Sequence, residues 1–179
     1  KFLRGPRGTG FLYARRETTA ALAPPMPDLR SARFTGPDSF EYAEAARRFE
    51  HFEASYSGRV GLGVAIDCLL AVGPERAWRR IRGLAERLRS RLLRTGGVEV
   101  HDAGAPVSAI VTFTVAGETP ARTQARLLGH GIRIGTCTAQ STWLHASSRR
   151  RADAARASVH YFNTEQEIDA LVDAVTAAG

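Results

Sequence analysis

Arg156-Ala157-Ser158-Val159-His160-Tyr161-Phe162-Asn163-Thr164-Glu165-Gln166-Glu167-Ile168-Asp169 reads most directly as structure. Ala157, Val159 and Tyr161 alternate with Arg156, Ser158 and His160, which predicts a strand from Arg156 to Tyr161 with one apolar and one polar face. Thr164 and Glu167 stand three apart, the spacing at which a hydroxyl and a carboxylate cap each other's backbone amides at a helix start. Ile168, Leu171, Val172 and Val175 follow at helical spacing. A strand therefore runs straight into an amphipathic helix.

Toward the N-terminus the pattern extends. Val107, Ala109, Val111, Phe113 and Val115 alternate with polar residues and predict a half-buried strand over Val107–Val115. Thr119-Pro120 signals a cap and first turn for a helix ending near Gly129 and Gly131, and a short strand is expected at Ile132–Ile134. Trp78, Ile81, Ala85, Leu88 and Leu92 form one apolar stripe on a helix that Gly96-Gly97 stops. Gly73-Pro74 separates it from another helix over about Ser57–Leu70. Residues 93–179 are thus expected to form a small α+β domain with a mostly antiparallel sheet, and residues 57–92 two linking helices. Residues 1–56 are expected to hold a tight turn, a strand at Gly10–Ala14, a proline-rich loop at Ala23–Asp28 and an irregular aromatic-bearing segment from Phe34 to Phe52.

Composition narrows the function classes. Apolar content of 44% with 24% charged residues describes a globular chain. The longest apolar stretch, Val60–Val72, contains Asp67 and is too short to cross a bilayer, so no membrane partner is expected. Cys68, read as a core residue, and Cys137 lack metal-ligand spacing. The histidines at 51, 101, 130, 145 and 160 are scattered, so no metal is expected, and a reduced, cytoplasmic protein is the simplest reading. The net charge of +7 gathers in Arg76, Arg79, Arg80, Arg82, Arg87, Arg89, Arg91 and Arg94 on one helix. Without interleaved aromatics or a groove-reading motif, that pattern is read as a solvated helix face and no nucleic-acid partner is expected. A non-enzymatic basic binding or dimerisation module stays open as the alternative.

Among 25 basic side chains Lys1 is the single lysine, and it opens the segment Lys1-Phe2-Leu3-Arg4-Gly5-Pro6-Arg7-Gly8-Thr9-Gly10-Phe11-Leu12-Tyr13. An amine forms imines with carbonyl compounds and shifts its pKa on burial, whereas a guanidinium does neither. Gly5-Pro6-Arg7-Gly8-Thr9-Gly10 lacks the Gly-Lys-Ser/Thr ending of a phosphate loop, and Gly61-Leu62-Gly63 completes no dinucleotide fingerprint. The glycines near Lys1 imply a tight turn.

That segment and the Arg156–Asp169 stretch resemble the Schiff-base lysine motif and the closing signature of class V pyridoxal-phosphate enzymes, the aminotransferase and cysteine desulfurase group of fold type I. The resemblance implies an α/β fold: residues 1–56 end the large domain, 57–92 link, and 93–179 form the small domain. It implies that Lys1 binds pyridoxal 5'-phosphate and moves the α-proton of an amino-acid substrate. Arg156 would bind that substrate's carboxylate, in a homodimer, with transamination or C–S lyase or desulfurase chemistry to follow. Arg47-Arg48-Phe49-Glu50 with Gly61-Leu62-Gly63 resembles the dimer-interface region. There the threonine that contacts the neighbouring subunit's phosphate in many relatives is replaced by Glu53, an anion, so Ser55 becomes the candidate cofactor contact, beside a purely structural role. Cys137 sits where desulfurases carry a nucleophilic cysteine on a loop. Its spacing to Arg156 and the following Ser141-Thr142 fit better the relatives with a small polar residue there, and His145 and Arg133 are the candidate cations to lower its pKa if the fold brings them near. Because relatives place their ring-stacking and pyridine-nitrogen contacts before the lysine, the resemblance also implies a fragment of a longer protein, inactive by itself.

Overall fold

The computed structural model describes residues 2–101, 108–142 and 153–177, in two compact units that divide between Ala71 and Val72. In the first unit, α1 (Arg16–Ala21) leads to an antiparallel hairpin of β1 (Ala32–Gly36) and β2 (Ser39–Tyr42). A 3-10 turn (Ala45–Phe49) then precedes α2 (Tyr56–Val72). The Phe34–Phe52 segment is therefore ordered, not irregular: Phe34 pairs with Phe40 across the hairpin. The strand expected at Gly10–Ala14 does not form. Those residues join no ladder, and Phe11, Leu12 and Tyr13 are 67–80% exposed. A strand needs a partner edge, which apolar composition alone does not provide.

Polar ties hold this unit together. The Asp28 carboxylate accepts the backbone N–H groups of Arg30 (2.8 Å), Ser31 (3.3 Å) and Phe52 (2.8 Å), and these amides hold it below the usual carboxylate range. Arg30 meets Glu50 at 2.6 Å, so the proline-rich loop is fastened to the approach to α2. Along α2 only Gly58 is buried, and Val60, Val64 and Leu70 are 56–69% exposed. Cys68, read as core, is likewise exposed.

The second unit holds α3 (Pro74–Leu92), β3 (Val98–Val100), β4 (Ile110–Val115), α4 (Pro120–Gly129), β5 (Gly135–Cys137), β6 (Ala154–Ser158) and α5 (Glu165–Thr176). Its sheet is antiparallel throughout, in the order β3-β4-β6-β5. One core joins Leu84, Leu88 and Leu92 of α3, Val111 and Phe113 of β4, Leu127 of α4, Ala155 and Ala157 of β6, and Ile168, Leu171 and Val175 of α5. The Thr164–Glu167 capping box is formed, and Thr119 caps α4 by accepting from the Arg122 amide.

Several expectations shift in detail. β6 begins two residues early and stops at Ser158, because the Asn163 side chain accepts the His160 amide at 2.8 Å and turns the chain. β5 starts at Gly135 and not Ile132, since Gly131 and Ile132 still donate to the Leu128 and Leu127 carbonyls that finish α4. Trp78 is 37% exposed and Ala77 takes the buried position.

The arginines of α3 do not form a purely solvated face. Arg80 meets Glu165 at 3.2 Å, Arg87 meets Asp169 at 2.7 Å and Arg91 meets Asp173 at 3.0 Å, all on α5. Hydrogen bonds from Arg87, opposed by some desolvation and joined by Arg91, pull the Asp169 pKa to about 2. Arg89 is only 7% exposed and donates to the carbonyls of Ser108 and Ile110.

Candidate active site

Arg156 occupies the centre of β6, where Thr112 of β4 faces it on one side and Gly135 of β5 on the other. The neighbouring Ala155 and Ala157 point into the core, so Arg156 is directed to the opposite face. Its guanidinium lies back over Gly135: a Cβ built on that glycine would sit 3.2 Å from Nη2, 3.4 Å from Nε and 3.6 Å from Cζ. Gly135 does not have the left-handed φ that favours glycine. Its missing side chain makes room for the cation. Nε of Arg156 is buried and finds no hydrogen-bond acceptor among the described residues. Such a donor, shielded from water, is unfavourable by about 1–3 kcal/mol and calls for an explanation.

Cys137 lies two residues beyond Gly135 in β5 and therefore shares the face on which Arg156 stands. It is half-buried and pairs with Ala154. The chain after it is fixed by reciprocal contacts between Thr138 and Ser141, and by the Ala139 amide donating to Asp153 at 2.9 Å. Arg133 is exposed ahead of the strand, and His145 falls outside the described residues.

Lys1 too lies outside the described residues. The turn that follows it is described. Arg4 has φ 56°, Gly8 has φ 79°, and the Thr9 hydroxyl donates to the Pro6 carbonyl at 2.6 Å. This turn rests on the first turns of α2 through glycines: a Cβ at Gly58 would meet Thr9 Cγ2 at 2.9 Å, and one at Gly61 would meet Pro6 Cγ at 2.6 Å. Ser55 accepts the Gly58 amide at 3.1 Å at the head of α2 and keeps its own O–H to donate. Ser55 and Glu53 are both exposed. The roles of Gly58, Gly61 and Gly135 were missed from sequence. The i, i+3 spacing of the first two within a helix was the available signal; for Gly135 there was none.

Residues 1–171 match the family described as Aminotransferase class-V. A probable hercynylcysteine sulfoxide lyase of Mycobacterium tuberculosis is 32% identical over 179 residues, covering 99% of this chain and 42% of that protein. A probable cysteine desulfurase of Methanothermobacter thermautotrophicus is 26% identical over 170 residues, covering 93% of this chain and 42% of that protein. Among solved structures, the cysteine desulfurase CsdA from Escherichia coli superposes with a TM-score of 0.84 at 25% identity, over 98% of this chain and 43% of that one. A cystine C–S lyase in complex with its product cysteine persulfide has a TM-score of 0.77 at 24% identity, over 97% of this chain and 43% of that one, a likeness of fold. The chain thus spans about two-fifths of the length of the relatives it matches.

Proposed function

The chain belongs to the aminotransferase class V family of fold type I, pyridoxal-phosphate-dependent enzymes, and we propose that it forms the C-terminal part of an enzyme that cleaves a carbon–sulfur bond in an amino-acid substrate. The observation that carries this reading is Arg156, laid over Gly135 with a buried donor that no described residue satisfies. A planar carboxylate is the ligand that a guanidinium fork suits, and an amino-acid substrate supplies one.

The residues present fit the cofactor. Lys1, the one lysine of these 179 residues, would offer its amine to the cofactor's aldehyde. The Ser55 hydroxyl and the amides of the first turn of α2 offer donors for a phosphate, with no acidic residue in that turn, although Glu53 just before it does not. When bound, pyridoxal phosphate draws electrons from the substrate's Cα and weakens the bonds around it. Lys1 would take up the proton at Cα and, in an elimination, hand it to the sulfur group as that leaves the β-carbon. Arg156 holds the carboxylate and so fixes which Cα bond stands in line for cleavage. In this reading the complete enzyme is a homodimer.

The sulfur chemistry rests on what the relatives are named for: cleavage of cysteine and of a cysteine sulfoxide conjugate. Elimination at the β-carbon is the preferred form, because it needs no enzyme thiol, and Cys137 is tied into a ladder with a fastened loop behind it. A desulfurase reading draws support from Cys137 sharing the face of Arg156. Incubating the complete, cofactor-loaded protein with L-cysteine and with an S-conjugated cysteine sulfoxide separates the two. Pyruvate and ammonia are expected from elimination, and alanine with enzyme-bound persulfide from desulfuration. Amino-group transfer to a 2-oxo acid, with neither of those product sets, would overturn both.

A further inference from the structure

Two glycines on α2 hold the lysine-bearing turn by leaving room for it. Gly8, Gly73, Gly97, Gly117 and Gly131 have left-handed φ values, but Gly58 and Gly61 do not, so backbone freedom does not explain them. Both cost α2 helix propensity. Each faces a residue of the turn after Lys1: a Cβ added at Gly58 would meet Thr9 Cγ2 at 2.9 Å beside the neighbouring Ser55 Oγ at 2.8 Å, and one added at Gly61 would meet Pro6 Cγ at 2.6 Å and Cδ at 3.2 Å. The spacing matches on both sides, Pro6 and Thr9 against Gly61 and Gly58, three residues apart in each segment. Gly5 adds a third approach, to Leu62 Cδ1 at 3.1 Å. Gly63, on the same helix, has nothing within 4 Å.

The turn so held carries backbone strain. Arg4 is a non-glycine residue at φ 56°, a conformation that persists only when its surroundings enforce it. A proline ring cannot rotate out of the way of a new methyl group. Ordinary carbon contacts are near 3.5–4.0 Å, so a Cβ at Gly61 would displace the turn by about 1 Å.

We infer that Gly58 and Gly61 are positioning residues for Lys1, an inference that rests on the reading of Lys1 as the cofactor-binding amine. By accepting Thr9 and Pro6 they set where the amine is delivered relative to the cofactor and the substrate's α-proton. A displacement of about 1 Å at a proton-transferring group lowers turnover on the order of 100-fold.

The test uses the complete, cofactor-loaded protein and its Gly61→Ala, Gly63→Ala, Pro6→Ala and Pro6→Ala/Gly61→Ala variants. Borohydride reduction with peptide mass analysis reads the fraction of cofactor carried on Lys1, and the pH titration of the bound chromophore reads the environment of the amine. Gly61→Ala is expected to lower the Lys1-linked fraction, to shift the titration midpoint, and to reduce kcat about 100-fold with KM little changed. Gly63→Ala, which adds the same methyl to open space, should match the parent. Removing the proline ring makes room, so Pro6→Ala/Gly61→Ala should return to the behaviour of Pro6→Ala. A Gly61→Ala protein indistinguishable from Gly63→Ala overturns the inference, as does a double variant as impaired as Gly61→Ala or one that does not fold. If the parent protein carries no cofactor on Lys1, the underlying functional reading itself is wrong, a separate result.

Discussion

A methyl group on Gly135 would lie 3.2 Å from Nη2 of Arg156, its direct partner across the β5–β6 ladder. The smallest residue thus stands opposite a long cation, and the guanidinium folds over the backbone of the neighbouring strand. The Arg156 Nε is sealed in this arrangement while the residue as a whole is only partly buried.

Arg156→Ala in the complete enzyme should raise KM for the amino-acid substrate on the order of 30- to 1,000-fold, the loss of a charge-assisted fork worth about 2–4 kcal/mol. Arg156→Lys should recover little of it, because an ammonium offers no planar pair of donors. Gly135→Ala should raise KM several-fold with the denaturation midpoint unchanged or higher, since alanine is at least as good as glycine in a strand. Steady-state kinetics beside urea unfolding check all three. An unchanged KM for Arg156→Ala would remove the carboxylate-binding role.

Cys137→Ala should leave pyruvate formation within about threefold of the parent if the enzyme eliminates, because the thiol then has no covalent part and the residue is a small half-buried side chain. Loss of alanine formation from L-cysteine in the same variant would place the sulfur acceptor at Cys137. Product analysis decides between them.

Acid should loosen the second unit through Asp169. Its folded pKa is about 2 against an ordinary 3.8, so its contribution is complete above pH 4 and is lost as pH falls from 3.8 toward 2. Asp169→Asn should lower stability near neutrality and flatten the acid limb. Urea midpoints measured from pH 2 to pH 7 for the parent and the variant test the sign.

Arg89→Met should destabilise the same unit by roughly 1–3 kcal/mol, for it removes the guanidinium that donates to the Ser108 carbonyl and that shares the Ile110 carbonyl with the Ser108 hydroxyl. Thr164→Ala should cost about 1 kcal/mol by removing the capping box of α5. Leu88→Ala, fully buried in the core, should cost about 2–5 kcal/mol. Equilibrium denaturation gives each value. An effect of Arg89→Met within 0.5 kcal/mol, on the order expected of a surface residue, would mean that water satisfies those carbonyls.

Local signals in the chain were read correctly where the determining residues are neighbours. Thr164 with Glu167, Thr119 with Pro120 and Gly73 with Pro74 each set a helix start through contacts within one turn. The alternation of Ala109, Val111 and Phe113 places those side chains on the buried face for the same reason. Where partners are distant, sequence reading was displaced or silent. Gly10–Ala14 has strand composition and no edge to join among the described residues, and Val98–Val100 is too short for an alternation to stand out. Arg89 looks like its exposed neighbours, and only the approach of β4 makes its position buried.

By itself the sequence determined the family and, apart from β3 and the exact place of β5, the succession of helices and strands in the second unit, and it singled out Lys1 and Arg156 as candidates, because residue type and short-range spacing specify amine chemistry, caps and periodicity. Tertiary structure alone decided that Gly135 lies under Arg156, that Pro6 and Thr9 seat against Gly61 and Gly58, and that the α3 arginines meet the acids of α5. Those relations depend on strand register and on how closely two segments approach, which are set by the packing of the whole fold and leave no mark in the local order of residues.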